Sequence, residues 1–195
     1  DIAATGENVD IARDAATGVL ANDADGNSDT DELFVAEVGG DGNGVGQAVA
    51  GSNGGLFTVN RDGSYDFAPG TDFDDLAAGE SRDTAVTYQV SDGQGETATA
   101  RIVITVNGAN DAPTVANELP DRDSRDGDSV TASVAGTFAD LDASDELTYS
   151  ANVDGESTLP PGLSLDPGTG RITGTLDADA SDGAPPTSPK PPGEV

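Results

Sequence analysis

The stretch Val103-Ile104-Thr105-Val106-Asn107-Gly108-Ala109-Asn110-Asp111-Ala112-Pro113 decides the fold. Its first four residues are β-branched and favour an extended strand. The next seven carry small or polar side chains and end on a proline, which has no N–H to give a sheet ladder. A strand therefore stops near Asn107, a short acidic junction follows, and a second alternating pattern begins near Thr114. The junction reads as a joint between two β-sandwiches.

Upstream of it, Ala100, Ile102, Ile104 and Val106 alternate with Thr99, Arg101, Val103 and Thr105, the period of a half-buried strand. The turn Ser91-Asp92-Gly93-Gln94-Gly95 leads back to Val86, Tyr88 and Val90, which predicts a long closing hairpin. Leu33-Phe34-Val35 begins an earlier strand. Leu56-Phe57-Thr58-Val59 and Tyr65-Asp66-Phe67 flank Asn60-Arg61-Asp62-Gly63, where Asp-Gly between alternating residues signals a hairpin. Downstream, Val130, Ala132 and Val134 alternate, and Leu147-Thr148-Tyr149-Ser150 and Leu163-Ser164-Leu165 read as strands. Asp166-Pro167-Gly168-Thr169-Gly170 is a tight turn into Arg171-Ile172-Thr173-Gly174-Thr175-Leu176. No helical stripe of three turns is present. From Gly183 the chain is Pro-rich and extended, and nothing matches the closing hairpin of the first module.

The expected organisation is all-β: a first sandwich over 1–107, a linker over 108–113, a partial second sandwich over 114–183 lacking its closing strands, and a Pro-rich tail or linker over 184–195. The chain starts at Asp1 without Met, which reads as a piece of something longer. Tyr65, Tyr88 and Tyr149 occupy alternating strand positions and read as packing residues.

Charge narrows the function. Against 8 Lys and Arg stand 37 Asp and Glu, for a formal net charge of -29. Such a chain repels nucleic acid and anionic membranes, and divalent cations are its natural counter-charge. Asp outnumbers Glu 28 to 9, and a short carboxylate in a loop suits both oxygen ligation of Ca²⁺ and turn formation. With no Cys there is no disulfide staple, and with 5 Phe, 3 Tyr and no Trp the cores are thin, so metal is the candidate staple. No apolar run approaches the roughly 20 residues needed to cross a bilayer, and no direct membrane insertion is expected.

A weak internal repeat points to two related modules. Val19-Leu20-Ala21-Asn22-Asp23-Ala24-Asp25, followed by Asp31-Glu32-Leu33, parallels Thr137-Phe138-Ala139-Asp140-Leu141-Asp142, followed by Asp145-Glu146-Leu147. Each reads as a strand that delivers Asp-x-Asp, a polar turn, and the opening of a further strand. Alternate side chains share a face, so the two carboxylates of such a pair aim the same way. Ca²⁺ takes six to eight oxygens, so the pair needs further donors, which Asn110-Asp111 are placed to supply. The same acidic loops also read as solvated turns.

Residues 16–113 resemble a VCBS-type repeat, a bacterial cadherin-like module. The resemblance is carried by Gly18-Val19-Leu20-Ala21-Asn22-Asp23, Gly63-Ser64-Tyr65-Asp66-Phe67, Tyr88-Gln89-Val90-Ser91-Asp92-Gly93, Ile104-Thr105-Val106 and Asn110-Asp111-Ala112-Pro113. Residues 114–183 resemble the start of a cadherin-like, dystroglycan-type immunoglobulin module. Here the matching segments are Thr137-Phe138-Ala139-Asp140-Leu141-Asp142, Leu147-Thr148-Tyr149-Ser150, Leu159-Pro160-Pro161-Gly162-Leu163 and Gly170-Arg171-Ile172-Thr173-Gly174. The resemblance implies a tandem array from a large bacterial surface protein of the repeats-in-toxin (RTX) adhesin type, with Ca²⁺ between modules. Carried onto this chain, it assigns Glu80, Asn110, Asp111, Asp140 and Asp142 to the joint. Glu7 is added by its place in the opening strand, and Asp23, Asp25 and Asp92 form the equivalent half-site toward a preceding module. Asp41, Asp72, Asp74, Asp75, Asp121, Asp123, Asp126 and Asp128 read as surface charge.

The expected function is a calcium-rigidified structural or extender segment of a secreted, surface-anchored adhesin, projecting a distal carbohydrate- or protein-binding domain in cell adhesion or biofilm formation. The alternative is a split scaffold that frames a sugar-, peptide- or protein-binding module. Partners are neighbouring modules of the same chain, the molecule is a monomer, and the location is the bacterial cell surface. No enzyme activity is expected. With no His and no Cys the usual Ser or Cys triad has no base, and a glycosidase cleft needs aromatic platforms. Asp23-Ala24-Asp25-Gly26-Asn27-Ser28-Asp29 departs from an EF-hand loop in the position of its glycine. Gly39-Gly40-Asp41-Gly42-Asn43-Gly44 is a single copy of what a calcium β-roll needs stacked, and reads as a flexible loop.

Overall fold

The computed structural model describes residues 1–24, 33–120, 122–152 and 159–177. Asp25, the Asp31-Glu32 pair, Asp121 and the Pro-rich tail lie outside these. Among the described residues there are thirteen strands, one short 3-10 turn and no α-helix. The chain forms two compact units. The first is Asp1–Asp111 with Leu141–Asp145, and the second is the described part of 112–140 and 146–195.

The first unit is a sandwich of two four-stranded sheets. One has the order β1 (Ile2–Gly6), β8 (Thr97–Asn107), β7 (Ser81–Ser91), β3 (Phe34–Val38); the other runs β2 (Ile11–Arg13), β6 (Tyr65–Ala68), β5 (Leu56–Val59), β4 (Ala48–Ala50). β7 and β8 pair antiparallel over eleven residues, from Ser81 opposite Asn107 to Ser91 opposite Thr97, which is the closing hairpin read from the sequence. Its inward face carries Val86, Tyr88, Val90, Ile102, Ile104 and Val106, all buried. The alternation reaches further than the burial, because Ala98 and Ala100 lie on the same face of β8 and are exposed. Opposite them, Phe57 and Phe67 pack with centroids 4.7 Å apart and ring planes tilted by 48°, and Phe73 meets Phe67 edge-on at 6.5 Å. Burial of three aromatic rings with the aliphatic layer is the main source of stability in a unit this size.

The β5–β6 hairpin closes through Asn60–Ser64. Gly63 adopts a φ of 83°, and Asp62 Oδ1 accepts from the Ser64 N–H and hydroxyl at 3.0 and 2.6 Å. Gly39–Gly44, read as a loop, contains a 3-10 turn over Gly42–Gly44 whose N-cap Asp41 accepts from the Asn43 N–H. Val19–Asn22 is not the strand expected of it. It is a run of turns, with Ala21 N–H on Gly18 O and Asp23 N–H on Leu20 O. The reason is that Val19 is buried and its N–H is taken by Gly63 O at 2.8 Å, so the segment bends over the hairpin end rather than running along a sheet.

The second unit contains a three-stranded antiparallel sheet, β10 (Ser129–Ser133), β13 (Arg171–Thr175), β12 (Leu163–Asp166), and a two-residue pair, β9 (Thr114–Val115) with β11 (Phe138–Ala139). Leu147–Ser150, read as a strand, makes no ladder; Tyr149 N–H bonds to Pro167 O at 2.9 Å and its ring meets Phe138 at 6.4 Å. Asp145-Glu146-Leu147 accordingly opens no strand, so the internal repeat does not extend to matching elements. No large apolar side chain of this unit is fully buried among the described residues, and Val115 and Phe138 are 64% and 40% exposed. An apolar groove of about 390 Å³ is lined by Leu119, Val134, Phe138, Leu147, Tyr149 and Ile172, among others.

Candidate metal centre

Strand direction gathers the acidic residues at one pole of the first unit. β1 runs parallel to β8, from Ile2 beside Val103 to Gly6 beside Asn107, so both strands end together. Glu7, the next residue, donates its N–H to Asn107 O at 2.9 Å. β7 runs opposite to β8, so the segment before Ser81 reaches the same pole. Gly108 is required there. A Cβ at that position would stand 2.1 Å from Leu76 O and 2.6 Å from Ala77 O, so only glycine lets the chain leave β8 beneath the 73–80 loop.

Glu7 is the centre of this pole. It is 1% exposed, its Oε1 accepts from Asn8 Nδ2 at 3.4 Å, and its Oε2 is buried with no hydrogen-bond partner. Burial raises its pKa above the usual carboxylate range, and the charges of Asp111, Asp142 and Asp74 raise it further. Asp142 is 2% exposed and its Oδ2 accepts the Asp111 N–H at 2.8 Å. Ala143 N–H bonds to Asp75 O at 3.1 Å, so Leu141–Asp145, read from sequence as part of the second module, belongs by its contacts to the first unit.

The structure thus sets Glu7, Asp111 and Asp142 at one pole, the last two joined by a hydrogen bond, with the charge of Asp74 also acting on Glu7. Of the aspartates read as surface charge, Asp74 acts on Glu7, while Asp72 and Asp75 are at the surface, where Asp72 Oδ2 accepts the Gly55 N–H at 2.7 Å and Asp75 pairs with Arg82. The signal for Asp74 was its neighbour. Phe73 is fully buried, so the residues flanking it are held at the pole. Glu80 and Asn110 are exposed and bond locally, Glu80 Oε2 to the Ala77 N–H at 3.1 Å and Asn110 Nδ2 to Asp111 O. Asp140 follows β11 in the second unit and is half-buried.

At the other pole, Asp23 and Asp92 line one cavity of about 270 Å³ with Glu96. Asp92 Oδ1 accepts three N–H groups, from Gln94, Gly95 and Glu96, at 2.8, 3.1 and 3.1 Å, and these hold its pKa below the usual range. It shapes the β7–β8 turn.

Among the described residues no three acidic side chains stand close enough to hold an ion as placed. The donor chemistry at Glu7 nevertheless fits a hard cation. A buried carboxylate oxygen lacks a partner, and the charged groups acting on it are all acidic. Buried carboxylates of this kind are stable when paired or metal-bound.

A two-sheet sandwich with carboxylates collected where its first and last strands end defines a module of the cadherin-like, immunoglobulin-like type. The chain belongs to the bacterial cadherin-like domain family, whose profile matches residues 1–108. A second profile, described as an Ig domain, matches residues 112–187. No curated protein matches the chain. Among solved structures it is similar to Drosophila N-cadherin EC1-4, at 14% identity over 91% of this chain and 39% of that one, with a TM-score of 0.39. It is also similar to mouse clustered protocadherin PcdhgC3 EC1-3, at 15% identity over 93% of this chain and 56% of that one, with a TM-score of 0.36. The chain therefore spans about two fifths of the first and just over half of the second. No helix among the described residues is long and apolar enough to cross a membrane.

Proposed function

We propose that Glu7, Asp74, Asp111 and Asp142 are ligands for Ca²⁺, and that the chain is a calcium-rigidified extender segment of a secreted, surface-anchored bacterial adhesin of the VCBS-containing RTX type. The observation that carries this is the buried Glu7 carboxylate, with one oxygen unpartnered and three aspartates bearing on it. When bound, the ion supplies positive charge that neutralises this pole. The chain's own part is to hold the donors. The β1–β8 pairing fixes Glu7, the Phe73 anchor fixes Asp74, and the Asp111–Asp142 hydrogen bond ties the linker to the 141–145 segment.

The stiffening follows from connectivity. The chain passes between the units at 111–112, 140–141 and 145–146, and Asp111 and Asp142 lie at or beside two of those passages. Ligation of both restrains the connection. Extracellular modules bind Ca²⁺ with dissociation constants of about 10⁻⁴–10⁻³ M, so millimolar calcium would fill the site outside a cell and the cytosol would leave it pliable. Neighbouring modules of the same chain are the partners, a distal domain carries the carbohydrate or protein ligand in adhesion or biofilm formation, and no catalysis is assigned. Calcium titration by calorimetry, with small-angle scattering in calcium and in chelator, tests the reading. Saturable binding with a longer, stiffer particle supports it, and no binding up to 10 millimolar calcium (about ten times the weaker of those constants) rejects it.

A second reading, a scaffold that frames a sugar-, peptide- or protein-binding module, is favoured by the apolar groove that the described residues of the second unit line. Retention of the chain on glycan or peptide arrays, lost on Phe138→Ser, would favour it over the extender role.

A further inference from the structure

The turn Asp72-Phe73-Asp74-Asp75 between β6 and β7 offers three carboxylates in four positions, and the sequence alone does not say which one serves the pole. Arg82, the second residue of β7 and paired with Val106, decides it. Its Nη2 bonds to Asp75 Oδ2 at 2.5 Å and its Nη1 donates to the Asp72 carbonyl at 3.2 Å. The guanidinium carbon lies 5.7 Å from the centre of the Phe73 ring. One rigid fork thus closes on both ends of the turn, which Lys, a point charge on a flexible stem, would not do. Asp72 is occupied with the Gly55 N–H and Asp75 with Arg82, which leaves Asp74 as the aspartate of this turn that acts on Glu7. The same clip sets the Asp75 carbonyl, which accepts the Ala143 N–H beside Asp142.

We infer that Arg82 is a positioning residue for the acidic pole, selecting Asp74 as its ligand from the 72–75 turn and seating Asp142 through the Asp75 carbonyl. The inference rests on the reading of Glu7, Asp74, Asp111 and Asp142 as a Ca²⁺ site and names a residue that does not itself touch the ion.

The sign of one measurement separates this from a mere charge effect. If Arg82 acted only as a nearby positive charge, its removal would tighten calcium binding by lessening repulsion. A positioning role demands the reverse. In the 195-residue chain, Arg82→Gln should raise the calcium dissociation constant by about tenfold or more, the usual scale for a residue that orients ligands. Arg82→Lys should recover little of it, because the charge returns without the fork. Asp75→Asn combined with Arg82→Gln should bind no more weakly than Arg82→Gln alone, since the two residues form one clip. In the metal-free chain, hydrogen exchange at the Ala143 amide should quicken in Arg82→Gln while the β7–β8 amides keep their protection. Unchanged or tighter calcium binding in both Arg82 variants overturns the inference and leaves the site reading standing. A wild-type chain that binds no calcium overturns the site reading and this inference with it.

Discussion

The main-chain N–H of Glu7 donates to the carbonyl of Asn107 at 2.9 Å, one step beyond the last β1–β8 pair. That bond places the first acidic residue after β1 beside the linker after β8, although 100 positions separate the two in the chain. Only a parallel pairing does this, since an antiparallel one would send Glu7 to the opposite pole.

Replacing Glu7 by Gln removes a buried charge that other carboxylates repel. In chelator at neutral pH the variant should melt higher than the parent chain, and the calcium-induced rise in melting temperature should shrink or vanish. Differential scanning calorimetry with and without calcium measures both. A variant that melts lower in chelator would falsify the view that Glu7 is a strained charge.

Gly108→Ala drives a methyl into the Leu76 and Ala77 carbonyls, and backbone on both sides leaves little room to yield. A loss of about 1–3 kcal/mol is expected, read from urea unfolding of the first unit. Calcium affinity should fall with it, because the displaced 73–80 loop carries Asp74. Stability within a few tenths of a kcal/mol of the parent would show that the loop moves freely.

Phe73→Ala empties a fully buried ring site next to Phe67. Large-to-small changes of this kind cost about 3–5 kcal/mol. The variant should also bind calcium more weakly than its folded fraction alone explains. Titration in conditions where circular dichroism shows native sheet content distinguishes the two effects.

Asp166 takes the N–H groups of Gly168 and Thr169 at 3.0 Å each, and these bonds lower its pKa from 3.8. A carboxylate depressed in the folded state stabilises above its unfolded pKa, and that contribution is lost as pH falls through the folded value. The melting difference between the parent chain and Asp166→Ala should therefore be constant from neutral pH to about 5, and should close below about 4. A difference that persists at pH 2 would assign the effect to the side chain's packing instead of its charge.

Much of the first unit was legible because its signals are local. The β7–β8 hairpin, the Asp62-Gly63 turn and the inward set Val86, Tyr88, Ile102 and Ile104 follow from alternation and turn chemistry alone. Val19–Asn22 misled because a buried Val beside Leu looks like a strand, while its backbone partner, Gly63, lies far along the chain. Leu147–Ser150 misled likewise, since alternation names a face but does not guarantee a neighbouring strand to bond with.

The period-2 alternation, the turn residues and the break at Asn107 are properties of the sequence by itself, and they determined an all-β chain; its excess of Asp and Glu is equally legible there. Which carboxylates gather was decided only by tertiary structure. Direction and register of β1, β7 and β8 bring Glu7, Asp74 and Asp111 to one pole, and the fold of 141–145 onto the first unit brings Asp142. The physical reason is that a carboxylate's role depends on its desolvation and on the charges around it, and both are set by residues distant in sequence.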